Sequence, residues 1–248
     1  MARMPFPDAL GWAVLLLGAL GGSVIGGVAG FGAGITLVPL IAWVFGIRAV
    51  APVLTITMLV GNLSRIWWSR HEIDRPVALR FLVGGVPATA MGAALYVGTS
   101  SEWLRWIIGG FLIAAVPLRR ILLSRYFVIR RRHFPFLGAG IGVLSALVVT
   151  TGPVMTPFFL AYGLRRGAFI GTEAVCTFGM HLTRTVAFAG YAVLTRETIA
   201  AGAILGGVMF LGAWIARRLL DRMTDRVFLR LVEALLLAMG LQFLLLSR

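Results

Sequence analysis

Arg184 is set in an apolar stretch that continues on both sides of it, through Phe178 before and Val193 after. A guanidinium at such depth in a membrane faces the bundle interior or an aqueous cavity and has a partner. Two roles stay open: a fixed charge that draws an anion inward, or a structural ion pair or snorkelling cation. His181, three residues earlier, shares roughly the same helix face, as a hydrogen-bonded packing residue or as part of a binding site. Glu173 lies about one turn inside from Arg165-Arg166 and either pairs there or carries a proton, whereas Glu233 has Arg230 one turn before it for a local ion pair. These carboxylates and histidines are too few and too scattered for a metal site, and Cys176 has no evident catalytic partner. A Gly-x-x-x-x-Gly-Lys phosphate loop is also missing. No catalytic residue, metal or cofactor is therefore expected, and the chain does not read as an enzyme.

A second chemistry resides in the backbone. Gly30-Phe31-Gly32-Ala33-Gly34 and Thr150-Thr151-Gly152-Pro153 are helix-breaking clusters between apolar runs. Half-helices beginning near Gly34 and Pro153 would present unpaired N–H groups, and the positive end of their dipoles, at mid-membrane. Gly32, Gly34 and Gly152 would permit close backbone approach, while Thr36, Thr150, Thr151 and Thr156 offer hydroxyl donors. The competing reading is that the glycines only permit tight helix crossings and that the threonines bond back to helix carbonyls.

The elements that must position these groups follow from composition. Of 248 residues, 59% are hydrophobic and 13% charged, against about 45–50% and 25% in soluble domains. That shortage of charge cannot coat a water-exposed surface, so the chain reads as a multi-pass protein of the cell membrane with lipid as its solvent. The net charge of +14 comes from 23 Arg and no Lys, placed mainly between apolar runs. It therefore marks loops rather than a nucleic-acid-binding face. Ten apolar elements are expected: Leu10–Ala29, Ile35–Phe45, Ala49–Trp68, Val77–Val97, Trp103–Leu118, Phe134–Val149, Val154–Tyr162, Ala168–Leu194, Thr198–Ile215 and Phe228–Leu246. None alternates as a barrel strand would, so all are helices. Ile35–Phe45 and Val154–Tyr162 are too short to cross a bilayer of ~30 Å apolar thickness, which marks them as broken or re-entrant. Trp67, Trp68, Trp103 and Trp106 fall near segment ends, as interfacial anchors do.

An internal repeat organises the chain. Gly34 and Pro39 recur as Gly152 and Pro157, and Arg48-Ala49 through Asn62-Leu63-Ser64-Arg65 aligns with Gly167-Ala168 through His181-Leu182-Thr183-Arg184. Gly84-Gly85-Val86 matches Gly206-Gly207-Val208, and Leu104-Arg105 matches Leu229-Arg230. Asn62 is thus the counterpart of His181, and Arg65 of Arg184. Arg65 falls near a cytoplasmic boundary, where snorkelling suffices to explain it. Five elements per half is odd, so the second half should be inverted. The expected fold is an all-α integral membrane protein of two inverted-topology repeats, each with a broken or re-entrant helix pair plus three transmembrane helices. The first repeat covers 1–118, a cytoplasmic Arg-rich linker 119–133, and the second repeat 134–248. Arginine density places the linker, the Arg65–Arg80 region, Arg165-Arg166 and Arg217–Arg226 inside, with Gly98–Glu102 and both termini outside.

With Gly30-Phe31-Gly32-Ala33-Gly34, Val38-Pro39-Leu40, the His71-Glu72-Ile73-Asp74 loop, Gly84-Gly85 and a weaker second copy after an Arg-rich linker, the chain resembles the TauE/SafE family, the sulfite exporter type of transmembrane permease. The resemblance implies transport of a small sulfur-containing or organic anion, such as sulfite, a sulfonate or a sulfoacetate-like compound. Combined with the residue reading, it implies a secondary transporter whose substrate binds between the two breaks, at Gly32, Gly34, Thr36, Asn62, Thr150, Thr151, Gly152, His181 and Arg184. Glu173 is the candidate for coupling to a proton, with sodium as the other candidate ion. An anion channel on the same scaffold and a non-transporting membrane-complex subunit are the alternatives.

Overall fold

The computed structural model describes residues 7–99, 103, 129–148, 151–232 and 234. Among them all regular structure is helical: α1 (Ala9–Ala29), α2 (Ala33–Phe45), α3 (Ile47–Ser69), α4 (Arg75–Gly98), a 3-10 turn (Arg131–His133), α5 (Phe134–Val148), α6 (Gly152–Tyr162), α7 (Arg166–Gly190) and α8 (Arg196–Asp221), followed by helical residues 225–232. The expected elements Trp103–Leu118 and Phe228–Leu246 lie largely outside the described residues, as do Thr150, Trp106, Glu233 and most of the Arg-rich linker.

Capping decides where several helices begin. The Asp8 carboxylate accepts from the Gly11 amide at α1, Asp74 accepts from Val77 at α4 with Pro76 in the first turn, and Thr195 accepts from Thr198 at α8. The two short helices differ. Neither α2, with Gly32 at its N-cap, nor α6, with Thr151 there, has a side-chain cap. They contain 13 and 11 residues, spanning roughly 20 and 16 Å at 1.5 Å per residue, well short of a bilayer.

Among the described residues four helices, α1, α3, α4 and α8, are long and apolar enough to cross a membrane. Large apolar side chains on the outer faces are exposed, among them Leu17, Leu79, Val83, Met91 and Val186, a surface suited to lipid rather than water. Helix α7, 25 residues long, is more polar, carrying Glu173, His181 and Arg184, all buried.

Helix α1 packs on α8 and α4 on α5; α3 packs on α8 and α4 on α7; and α3 and α7 pack on each other. Small residues set the closest crossings. A Cβ on Gly84 would lie 1.9 Å from the Pro135 carbonyl oxygen, one on Gly138 2.0 Å from that of Phe81, and one on Gly27 2.4 Å from the Ala216 methyl. Buried apolar residues form two clusters. One gathers Val28, Phe81, Phe134, Phe159, Phe169 and Leu220; the other gathers Leu15, Leu37, Leu54, Ala93, Phe188 and Leu205. They draw on opposite ends of α1, α4, α7 and α8, and the polar residues of the site lie between them.

At one end of the bundle the α3–α4 turn is tied to the second half of the chain. Arg217 on α8 bonds Glu72 at 2.6 Å, and the Asp74 amide donates to Thr172 Oγ1 at 2.9 Å. Gly167 leaves the space that the Glu72 carboxylate occupies. Tyr162 accepts from Arg131 at 2.7 Å, which raises the Arg131 pKa. Trp67 and Trp68 are exposed near this end of α3, and Arg70 stacks over the Trp67 ring at 4.5 Å.

Candidate functional site

The first helix break needs glycine at two positions. Gly30 ends α1 with φ 82°, and a Cβ there would lie 2.6 Å from the Phe169 ring; Gly32 opens α2 with φ 130°. Both values fall where L side chains are disfavoured. The second break runs through Thr151 into Gly152, and a Cβ on Gly152 would lie 2.4 Å from that of Phe31. The two breaks therefore abut.

Around their junction is a cavity of about 50 Å³, on a measure by which one water requires ~10–15 Å³. The first break contributes Gly30 to Gly34 and the second Thr151 and Gly152; α3 contributes Asn62 and Arg65, and α7 contributes Glu173, Thr177 and His181. Ser23, Ser145, three methionines and the small residues Gly26, Gly61 and Ala213 complete the wall. Among the described residues no group of His, Cys, Asp and Glu could hold a metal ion.

The charged pair inside this wall differs from the sequence expectation. Arg65 is not a snorkelling boundary residue: its side chain is 10% exposed and its Nη1 donates to Glu173 Oε2 at 2.7 Å. The same nitrogen reaches the carbonyls of Gly30 (3.1 Å) and Gly26 (3.4 Å) at the C-terminal end of α1, where the helix dipole favours a cation. Arg65 Nη2 donates to Asn62 Oδ1. Glu173 pairs with neither Arg165, which donates to the carbonyls of Leu160 and Leu164, nor Arg166, which lies 3.9 Å from Asp225. A buried carboxylate more than one hundred positions from its partner in sequence has found the nearer guanidinium in space.

Arg184 is 1% exposed and stands behind His181 rather than on the cavity wall. It donates through Nη2 to His181 Nδ1 and through Nη1 to the Ser145 carbonyl near the C-terminal end of α5. Arg184 does not pair with Glu173, whose carboxylate bonds Arg65 instead. Thr36 also departs from expectation, turning toward Gly22 of α1 instead of the cavity. Thr156 bonds back to the Gly152 carbonyl at 2.8 Å, the structural role weighed for the threonines. Gly32, Gly34, Asn62, Thr151, Gly152 and His181 are brought together at the cavity with Glu173. Sequence reasoning missed Arg65, whose alignment with Arg184 is the signal that pointed to it, and the flanking Thr177, Ser23 and Ser145, which have no distinguishing pattern.

A family model, Sulfite exporter TauE/SafE, matches residues 14–243, nearly the whole chain. The chain belongs to the TauE/SafE family. Membership makes this TauE/SafE protein a membrane transport protein of the sulfite-exporter type, in keeping with its long apolar helices. No curated protein and no solved structure matches it.

Proposed function

We propose that this TauE/SafE protein is a secondary transporter of a small sulfur-containing oxyanion, sulfite or a sulfonate, bound at mid-membrane between its helix breaks. The observation that carries the reading is the junction itself. Two helices begin side by side without side-chain caps, at a cavity that also contains the largely buried guanidinium of Arg65. At α2 the first N–H groups have no intrahelical acceptor; at α6 Pro153 has no N–H and the Val154 amide donates to the Thr151 carbonyl, which leaves Gly152 as the first-turn donor. Oriented backbone donors with the positive end of the helix dipole favour an anion there. Discontinuous helices serve this purpose in other inverted-repeat transporters.

The inverted-repeat arrangement, with repeats over 1–118 and 134–248 and the linker 119–133 cytoplasmic, is part of the proposal. Exchanging α1 with α5, α3 with α7 and α4 with α8 carries the packing pairs among these six helices into one another, which supports it; the short helices differ, since α2 packs on α1 and α3 whereas α6 packs only slightly on α7. Each half also has an arginine bonded to the end of its own first helix, Arg65 to α1 and Arg184 to α5. Glu173 is the proposed proton carrier, because an incoming anion and this carboxylate compete for Arg65. A protonated Glu173 would release the guanidinium, so one proton would accompany the anion.

Reconstituted vesicles provide the test. Sulfite, a short sulfonate and thiosulfate are compared for uptake and counterflow, with and without an imposed proton gradient. Saturable counterflow stimulated by the gradient is expected. Flux far above a carrier's turnover would replace the transporter with an anion channel, and no flux of any of the three would remove the proposal.

A further inference from the structure

The two arginines near the cavity make the same kind of contact with the residue three positions before them on their own helix. Arg65 Nη2 donates to Asn62 Oδ1 on α3, and Arg184 Nη2 donates to His181 Nδ1 on α7. A guanidinium has donors and no acceptor, so each contact dictates the polarity of its neighbour. The Asn62 amide must direct its oxygen to Arg65, leaving the Nδ2 hydrogens for another acceptor. His181 must offer a lone pair from Nδ1, and a neutral imidazole with Nδ1 unprotonated carries its hydrogen on Nε2.

We infer that Asn62 and His181 are a matched pair of donors for the oxygens of the bound anion, and that Arg65 and Arg184 are positioning residues which fix that donor polarity. Asn62 is 1% exposed and its Nδ2 has no hydrogen-bond partner in the protein. A buried amide hydrogen without an acceptor is rare in a native structure and points to a missing ligand or water. Both Asn62 and His181 line the cavity, whereas Arg184 does not. The guanidinium groups are themselves anchored, Arg65 on the carbonyls of Gly26 and Gly30 and Arg184 on that of Ser145. A helix end thus orients each arginine, and the arginine orients a donor.

This deepens the proposed anion site and rests on it. The arrangement favours a ligand whose oxygens act only as acceptors, a sulfonate or fully ionised sulfite, over one that must donate to the same two groups. The test uses the full-length protein in nanodiscs, with sodium sulfite and methanesulfonate as calorimetric probes. Asn62→Asp keeps the side-chain shape but replaces the donor with an acceptor, and its affinity should fall on the order of 100-fold with folding retained. In a His71→Gln, His133→Gln background, nitrogen-15 NMR of labelled histidine should show His181 as the neutral Nε2–H tautomer. Arg184→Leu should abolish that tautomer preference, and Arg184→Lys should keep it. An Asn62→Asp protein that binds within threefold of the parent overturns the donor pair while leaving the cavity site in place. An Nδ1–H or doubly protonated His181 in the parent overturns it as well, including where a variant fails to fold. If the parent binds neither probe, the anion site falls and this inference, which depends on it, falls too.

Discussion

Arg65 and Arg184, counterparts in the proposed repeat, have different surroundings: Arg65 shares its charge with Glu173, whereas Arg184, among the described residues, bonds the neutral acceptors His181 and the Ser145 carbonyl. Removing one member of a buried ion pair strands the other. Arg65→Met should therefore cost about 3–5 kcal/mol by leaving Glu173 uncompensated, and adding Glu173→Leu should restore much of it. Thermal unfolding in detergent measures both; a double variant no more stable than the single one would show that the pair does not hold α3 to α7. Arg184 is expected to behave differently. Its two bonds diverge from one planar fork, which a lysine ammonium reproduces poorly. Arg184→Lys should fold with transport reduced severalfold, and Arg184→Gln should lose stability that Glu173→Gln does not restore. Recovery of Arg184→Gln by Glu173→Gln would return Glu173 to Arg184 and contradict the contacts described above.

The helix breaks place backbone donors where a continuous helix would have none. Gly30→Ala combines a left-handed backbone, ~1–2 kcal/mol for a residue with a Cβ, with collision against Phe169. It should lower the melting temperature clearly, whereas Gly21→Ala on the same helix meets nothing within 4 Å and should leave it unchanged or slightly raised. Gly152→Val should wedge the two breaks apart at Phe31 and reduce anion binding more than it reduces folded protein; equal binding in folded Gly152→Val would displace the site from this junction. The breaks are legible in the sequence because glycine and proline leave local signatures. So are the helices that flank them: α2 was expected from Ile35 and begins at Ala33, and α6 was expected from Val154 and begins at Gly152. Partner choice at the cavity is not legible in this way. Glu173 lies near Arg165-Arg166 along the helix, yet it bonds an arginine of the other half, and that outcome is decided by how α3 and α7 pack. The same packing turns Thr36 toward α1, a matter of helix rotation that a short apolar helix does not encode in its pattern.

For the whole molecule, charge predicts the orientation. The end that holds the Glu72–Arg217 and Arg131–Tyr162 contacts gathers Arg70, Arg75, Arg165 and Arg222, while Arg48 and Arg196 begin helices at the other. Arginine-rich ends remain cytoplasmic, so single cysteines at His71 and Arg226, in a Cys176→Ala background, should resist a membrane-impermeant thiol reagent in intact cells. A cysteine at Tyr191, in the α7–α8 turn, should react. Labelling at His71 from outside would reverse the orientation. The polarity of α7 bears on something apart from transport, namely how the chain enters the bilayer during synthesis. An Arg at the centre of a membrane helix opposes insertion by about 2.5–3.5 kcal/mol; Arg184, nearer the C-terminal end of α7, opposes it by less, but the helix carries a Glu and a His besides. Its partners Arg65 on α3 and Ser145 on α5 precede it in the chain. By the time α7 leaves the ribosome, the groups that neutralise and bond its polar face have already been made, so the helices already synthesised can act as the template on which α7 is received.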